Sequence, residues 1–293
     1  MRPLLMLAVP LVLFVGGCTN LDAVKSASTK LVTASKNWDA VAGELNATCQ
    51  RQQQYNKKLT DCASPAAATK GLKDANTILT NYFQALADTA SDQNFTVQPG
   101  LDALAKSAAA VPGANKSQVT AVSDLVSLLA KWATQAAREK ALEDLIGKGV
   151  PSSEHVIDLM DTQVVLSLTR DLSGEQDFMD ETFLKYIYPD GGVTTKQLHA
   201  MCETGPRAYA LNEGPFLAAL EYCRRFGDLD AKSKAVADYQ KSLKTAHQTL
   251  DDLASSKSKL TSKELITQLY NDGKDLDSKV EAVSKAFVKG ASS

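Results

Sequence analysis

From Leu21 onward the apolar and polar positions alternate as a succession of helical stripes. Leu21, Val24, Leu31, Trp38, Ala42, Leu45 and Cys49 recur at heptad spacing, with Ser28 and Ser35 in the alternate seam positions. Large residues on one row facing small ones on the other suit a closely approaching antiparallel neighbour, so Trp38 reads as core. The polar run 52–58 carries no apolar stripe and ends this helix. Ser64 and Pro65 then offer an N-cap and a first-turn proline for a second helix. Its inward face is Leu72, Ala75, Leu79, Tyr82, Phe83 and Leu86. A polar loop over 88–94 follows, and Pro99-Gly100 opens a short alanine-rich helix that stops near Pro112-Gly113. Ser117 is expected to cap a long helix with Val119, Val122, Leu125, Val126, Leu129, Trp132, Ala133 and Ala136 inward. Gly147, Gly149 and Pro151 are expected to end it.

A helix starting at Ser152 or Ser153 and running to about residue 169 is apolar on several faces through Val156, Ile157, Leu159, Met160, Val164, Val165, Leu166 and Leu168. A helix wet on one side does not carry that pattern, so it is expected to be central. A strand over 164–168 is the alternative, and the unbroken flanks favour helix. The stretch 175–228 differs in character. It gathers Phe178, Phe183, Tyr186, Tyr188, Tyr209, Phe216, Tyr222 and Phe226, nearly half of the aromatic residues, with most of the turn chemistry in Tyr188-Pro189-Asp190-Gly191-Gly192, Gly205-Pro206 and Gly214-Pro215. After it the heptads return in Val236, Tyr239, Leu243, Ala246, Leu250 and Leu253. A capping box over Thr261 and Glu264 then starts a last helix with Leu265, Leu269, Leu276, Val280, Val283 and Phe287. The expected fold is all-α: an elongated bundle of long antiparallel helices with a smaller, turn-rich, disulfide-stapled helical insert. It divides into an N-terminal bundle over 18–174, the aromatic segment 175–228 and a C-terminal hairpin over 229–293 that packs on the bundle.

The first residues follow a different logic. Arg2 is followed by an apolar run from position 4 to 15, closed by Val15-Gly16-Gly17-Cys18. That run is shorter than the ~20 residues of a membrane-spanning helix, and a positive start, a short apolar stretch and small residues before a cut site are the anatomy of a secretory signal. The tetrapeptide ending in Cys18 resembles the lipobox of bacterial lipoproteins. The resemblance covers only this segment. It implies removal of 1–17, a Cys18 thiol carrying diacylglycerol, and acylation, palmitate-like, of the new amino group. Two or three acyl chains hold where one binds marginally, at about 0.8 kcal/mol per buried methylene. In that class an aspartate after the cysteine signals retention at the inner membrane; Thr19 here implies the outer membrane, with the rest of the chain in the periplasm.

Composition narrows the picture further. A net charge of −2 with lysines and arginines mixed among acids argues against a basic nucleic-acid surface. Export would place Cys49, Cys62, Cys202 and Cys223 in an oxidising compartment, where an even number reads as two disulfides. Sequence alone allows three pairings; the nearest-neighbour scheme, Cys49–Cys62 and Cys202–Cys223, needs the least long-range commitment.

Candidate chemistry is sparse. His199 and Cys202 lie one helical turn apart and could form a thiolate–imidazole pair, unless Cys202 is bonded. His155, Asp158 and Asp161 share a helix face at ligand spacing, but a solvated acidic edge with a helix-start histidine explains them better. His247 sits among polar neighbours. Asp171, Glu175, Asp177, Asp180 and Glu181 read as a solvated acidic face. There is no nucleophile elbow, phosphate loop or cofactor fingerprint, so the sequence assigns no catalytic residue, metal or cofactor. The expectation is a lipid-anchored envelope protein that works through a protein partner, as scaffold, adaptor or inhibitor. Its contact surface is expected at Tyr186, Tyr188, Tyr209, Phe216, Tyr222 and Phe226. The alternative is a periplasmic binder of a small apolar or lipid ligand between helices, and behind it an enzyme of unrecognised type.

Overall fold

A computed structural model describes residues 18–55, 61–91, 93, 99–133, 138–209, 211–255 and 263–288. The expected leader 1–17, Ala136 and Thr261 lie outside the described residues, as do the side chains of Cys18, Glu264 and Leu265. The chain is an all-α bundle, with no strand among the described residues. Its helices are α1 (Cys18–Tyr55), α2 (Ala63–Ala90), α3 (Leu101–Ala109), α4 (Lys116–Ala133), α5 (Arg138–Asp144), α6 (Val150–Met160), α7 (Leu166–Ile187), α8 (Thr195–Thr204), α9 (Glu213–Ser255) and α10 (Lys263–Val283). None of them is long and apolar enough to cross a membrane.

The heptad row of α1 does what its spacing implies. Val24, Leu31, Trp38, Ala42 and Leu45 are buried, and Ser28 and Ser35 are 0% exposed. Only Leu21, at the start of the row, lies open. The small serines let α2 approach, and the approach is fixed by hydrogen bonds. Asn76 Nδ2 donates to the Ser35 carbonyl at 2.7 Å and the Thr80 hydroxyl donates to Ser35 Oγ at 2.8 Å. On its other side α1 meets α9 and α10. Trp38 Nε1 donates to Ser242 Oγ at 3.1 Å and its ring stands edge-on to Tyr239. Lys30 pairs with Asp277 of α10. One hydrophobic cluster runs from Val24 to Phe287 and includes residues of α7, α8 and α9.

Both disulfides follow the nearest-neighbour scheme. Cys49–Cys62 closes the α1–α2 connection with Cα atoms 5.9 Å apart, and Cys202–Cys223 joins α8 to α9 at 5.0 Å.

Several helix ends differ from expectation. Asp61 Oδ1, not Ser64, accepts the Ala63 amide at the start of α2. Asn115 and Gln118, not Ser117, cap α4 through reciprocal side-chain to backbone bonds of 3.0 Å. Gly147, Gly149 and Pro151 do not end a helix. They lie in a π turn, Leu145–Gly149, and the first turn of α6, so the backbone stays helical from α5 into α6. The wider turn accommodates the proline ring, and the Leu145 carbonyl accepts a bond from the buried Tyr82 hydroxyl at 3.0 Å. Gly149 is needed there because a Cβ would overlap the Tyr82 ring. A second π turn, Asp161–Val165, joins α6 to α7, so the central helix runs on past residue 169 to Ile187. The strand alternative over 164–168 falls, and Leu166 faces outward.

Candidate functional site

The aromatic segment folds as a cap at one end of α7 and α9. The two helices run antiparallel here, with Asp180 of α7 against Tyr222 of α9. Between them the chain reverses at Gly191 and Gly192, both at positive φ, the conformation that glycine adopts without steric cost. Thr194 then caps α8 in a capping box with Gln197, and Gly205 ends it at φ 90°. That box is a T-x-x-Q pattern readable in the sequence but masked there by the neighbouring turn residues. Leu198 and Met201 anchor the short helix in the core, and Cys202–Cys223 staples it to α9.

Behind the staple lies a buried polar network. Asp180, 5% exposed, accepts from the Tyr222 hydroxyl at 2.7 Å and from Gln176 Nε2 at 2.6 Å, and its other oxygen meets His199 Nε2 at 2.8 Å. Burial, with Asp180 second, pushes the Tyr222 hydroxyl far above its usual range, so it stays a donor. The His199 ring lies 4.6 Å from Phe226 and stacks over Tyr222, which also meets Phe183 at 5.5 Å. The arrangement locks three helices together. The His199–Cys202 pair does not exist as a reactive dyad, because the Cys202 sulfur is bonded to Cys223.

The expected acidic face is also split. Glu175 and Asp180 point inward, and only Asp177 and Glu181 are exposed. Glu175, with Glu44 of α1, holds the Arg51 guanidinium; Arg51 Nε donates to Glu175 Oε1 at 2.6 Å, and Lys232 reaches Glu44 at 2.7 Å. Burial pulls the Arg51 guanidinium down, and the bonds to Glu175 and Glu44 more than offset it. Arg51, Arg224, Arg225 and Lys232 with Glu44, Glu175 and Asp228 wall a cleft of 410 Å³. Such a lining suits a polar group better than an apolar chain.

The expected contact residues divide sharply. Tyr186 is 70% exposed. Tyr222 is fully buried, which removes it from any contact surface. Tyr188, Tyr209, Phe216 and Phe226 are half-buried, and Tyr188, Tyr209 and Phe226 pack against the core as supports. Within the cap, the exposed apolar side chains that the sequence reading does not name are Leu217 and Leu220, 58% and 43% exposed near the start of α9. Leucines one turn apart read as a core stripe, so no sequence signal marks them as open. Beside Tyr188 and Pro189, an open groove of 540 Å³ is lined by Asp177, Glu181, Leu184 and Lys185.

His155 Nδ1 lies 3.9 Å from Asp158, and Asp158 and Asp161 border a small cleft with His247, so these three residues do not form a ligand set by themselves. Compared with protein-family models, curated proteins and solved structures, the chain matches none.

Proposed function

We propose that the chain is a lipid-anchored helical protein of the bacterial cell envelope that acts through protein contacts, with the stapled cap as its contact surface. One observation carries the surface assignment: Tyr186, Leu217 and Leu220 stay exposed on a frame held by the Cys202–Cys223 bond and the Asp180–Tyr222–His199 network. Apolar side chains held out on a rigid frame lose little entropy when a partner covers them, which favours binding. The Val15-Gly16-Gly17-Cys18 segment supports an acyl anchor at Cys18, which would hold the cap at the outer membrane facing the periplasm.

The test is mild cross-linking in intact cells, followed by purification of the acylated protein, with Cys18→Ser as the mislocalised form. A Tyr186→Glu, Leu217→Glu double variant separates the cap from the anchor. The reading expects a specific envelope protein that is lost in both forms, while the double variant keeps its helical circular dichroism. A partner retained by the double variant would move the contact surface elsewhere. The absence of any specific partner would end the adaptor reading.

A further inference from the structure

Far from the cap, α6 and α9 pack against each other and bring together three side chains that no helix carries alone. Glu154 comes from α6, His247 and Asp251 from successive turns of α9, and one ligand atom from each lies within 4.8 Å of the others. His247 Nδ1 is 3.3 Å from Asp251 Oδ2. Glu154 Oε1 has under 1 Å² of accessible surface and no hydrogen-bond partner. A carboxylate oxygen accepts only, and one closed off from water without a donor is costly. Among the described residues no lysine or arginine pairs with Glu154 or Asp251. Asp158 adds a further negative charge, and the cleft beside His247 carries Asp158, Asp161, Lys244 and Gln248. Burial first, and Asp251 next, lift the Glu154 carboxyl to about 7. The cluster thus combines crowded negative charge, an orphaned oxygen and an imidazole.

We propose that Glu154, His247 and Asp251 form a divalent-cation site of the zinc class that ties α6 to α9. One imidazole and two carboxylates are a borderline donor set, which zinc accepts; calcium wants six to eight oxygens, and magnesium keeps most of its waters. Metal–ligand bonds of about 2.0–2.2 Å require the three atoms to close in slightly from their present spacing. Asp251 is exposed and His247 half-exposed, so side-chain rotation provides that closure. Three protein ligands leave a coordination position for water, so the site is open rather than closed. The ion supplies the positive charge that Glu154 Oε1 lacks. The site lies about 37 Å along α9 from Tyr222, at 1.5 Å per residue, so its fate is independent of the contact surface proposed above.

The chain has three histidines, which makes the assignment tractable. Tag-free full-length protein in detergent, stripped with chelator, is titrated with Zn²⁺ by calorimetry at pH 7.5. One saturable equivalent is expected. His247→Ala and Glu154→Gln should each weaken binding by about tenfold or more, while His199→Ala leaves it unchanged within twofold. Co²⁺ added to the wild-type protein should give d–d bands of nitrogen and oxygen ligation that saturate at one equivalent, a readout that needs no variant to fold. Absence of saturable Zn²⁺ binding, absence of those bands, or full affinity in either His247→Ala or Glu154→Gln would overturn the site.

Discussion

Single residues decide how closely the helices of this bundle can approach. Gly149 marks the limit: a Cβ there would overlap the Tyr82 ring and meet Leu128 Cδ2 at 3.1 Å. Alanine gains up to ~1 kcal/mol of helix propensity, whereas overpacking a buried site costs about 1–3 kcal/mol. Gly149→Ala should therefore destabilise, lowering Tm by a few degrees. Gly227 of α9 is the opposite case, with nothing within 4 Å of its Cβ position, and Gly227→Ala should raise Tm. Thermal unfolding of the two variants side by side checks both signs. Trp38, Leu31 and Leu45 were legible as core from heptad spacing because a period needs no partner to be recognised. Tyr222 and Leu217 were not. A tyrosine in a turn-rich stretch becomes buried, and a leucine on a helix stays open, only once the opposing helix is in place.

At the level of elements, α8 shows how a short helix is held. Ten residues do not sustain a helix in water, so α8 depends on its capping box, on buried Leu198 and Met201, and on the staple to α9. Replacing Cys202 and Cys223 by serine frees a loop of 21 residues and should cost about 3 kcal/mol on the chain-entropy model. Hydrogen exchange should then open first at α8, with α1 and α2 still protected; unchanged protection at α8 would mean that packing alone holds the cap. The element boundaries that sequence reasoning missed share one cause. Gly147, Gly149 and Pro151 stop an isolated helix, but a π turn with Tyr82 bonded to Leu145 lets the helix continue. The capping roles of Asp61 and Asn115 were likewise open to adjacent serines until the turn geometry chose between them.

Across the whole molecule, two carboxyls raised on folding push stability in one direction between pH 5 and 8. Burial, with Asp251 and Asp158 adding to it and His247 opposing, raises Glu154 from 4.5 to about 7. Burial and then Asp252 and Asp275 raise Asp272 from 3.8 to about 6. A carboxyl raised on folding contributes stability that is full below its unfolded pKa and is lost as pH rises through its folded value. Both side chains are only half-buried, with one carboxyl oxygen of each closed off, which keeps the effect modest. Metal-free protein should lose about 2–4 °C of Tm between pH 5 and pH 8, and Glu154→Gln should flatten that slope. A Tm that rises over the same interval would contradict the assignment. The pairs that lower carboxyl pKa values, such as Glu221 held at about 2 by Arg224 and Arg225, act only under stronger acid. What the sequence by itself determined is the helical class, the seam of α1 and the even cysteine set, because each depends on spacing along one chain. Burying Glu175 and Asp180, exposing Leu217 and uniting Glu154 with His247 and Asp251 were decided only by tertiary structure. Each of those depends on which helix faces which, and pairwise geometry between segments remote in sequence leaves no periodic trace in either one.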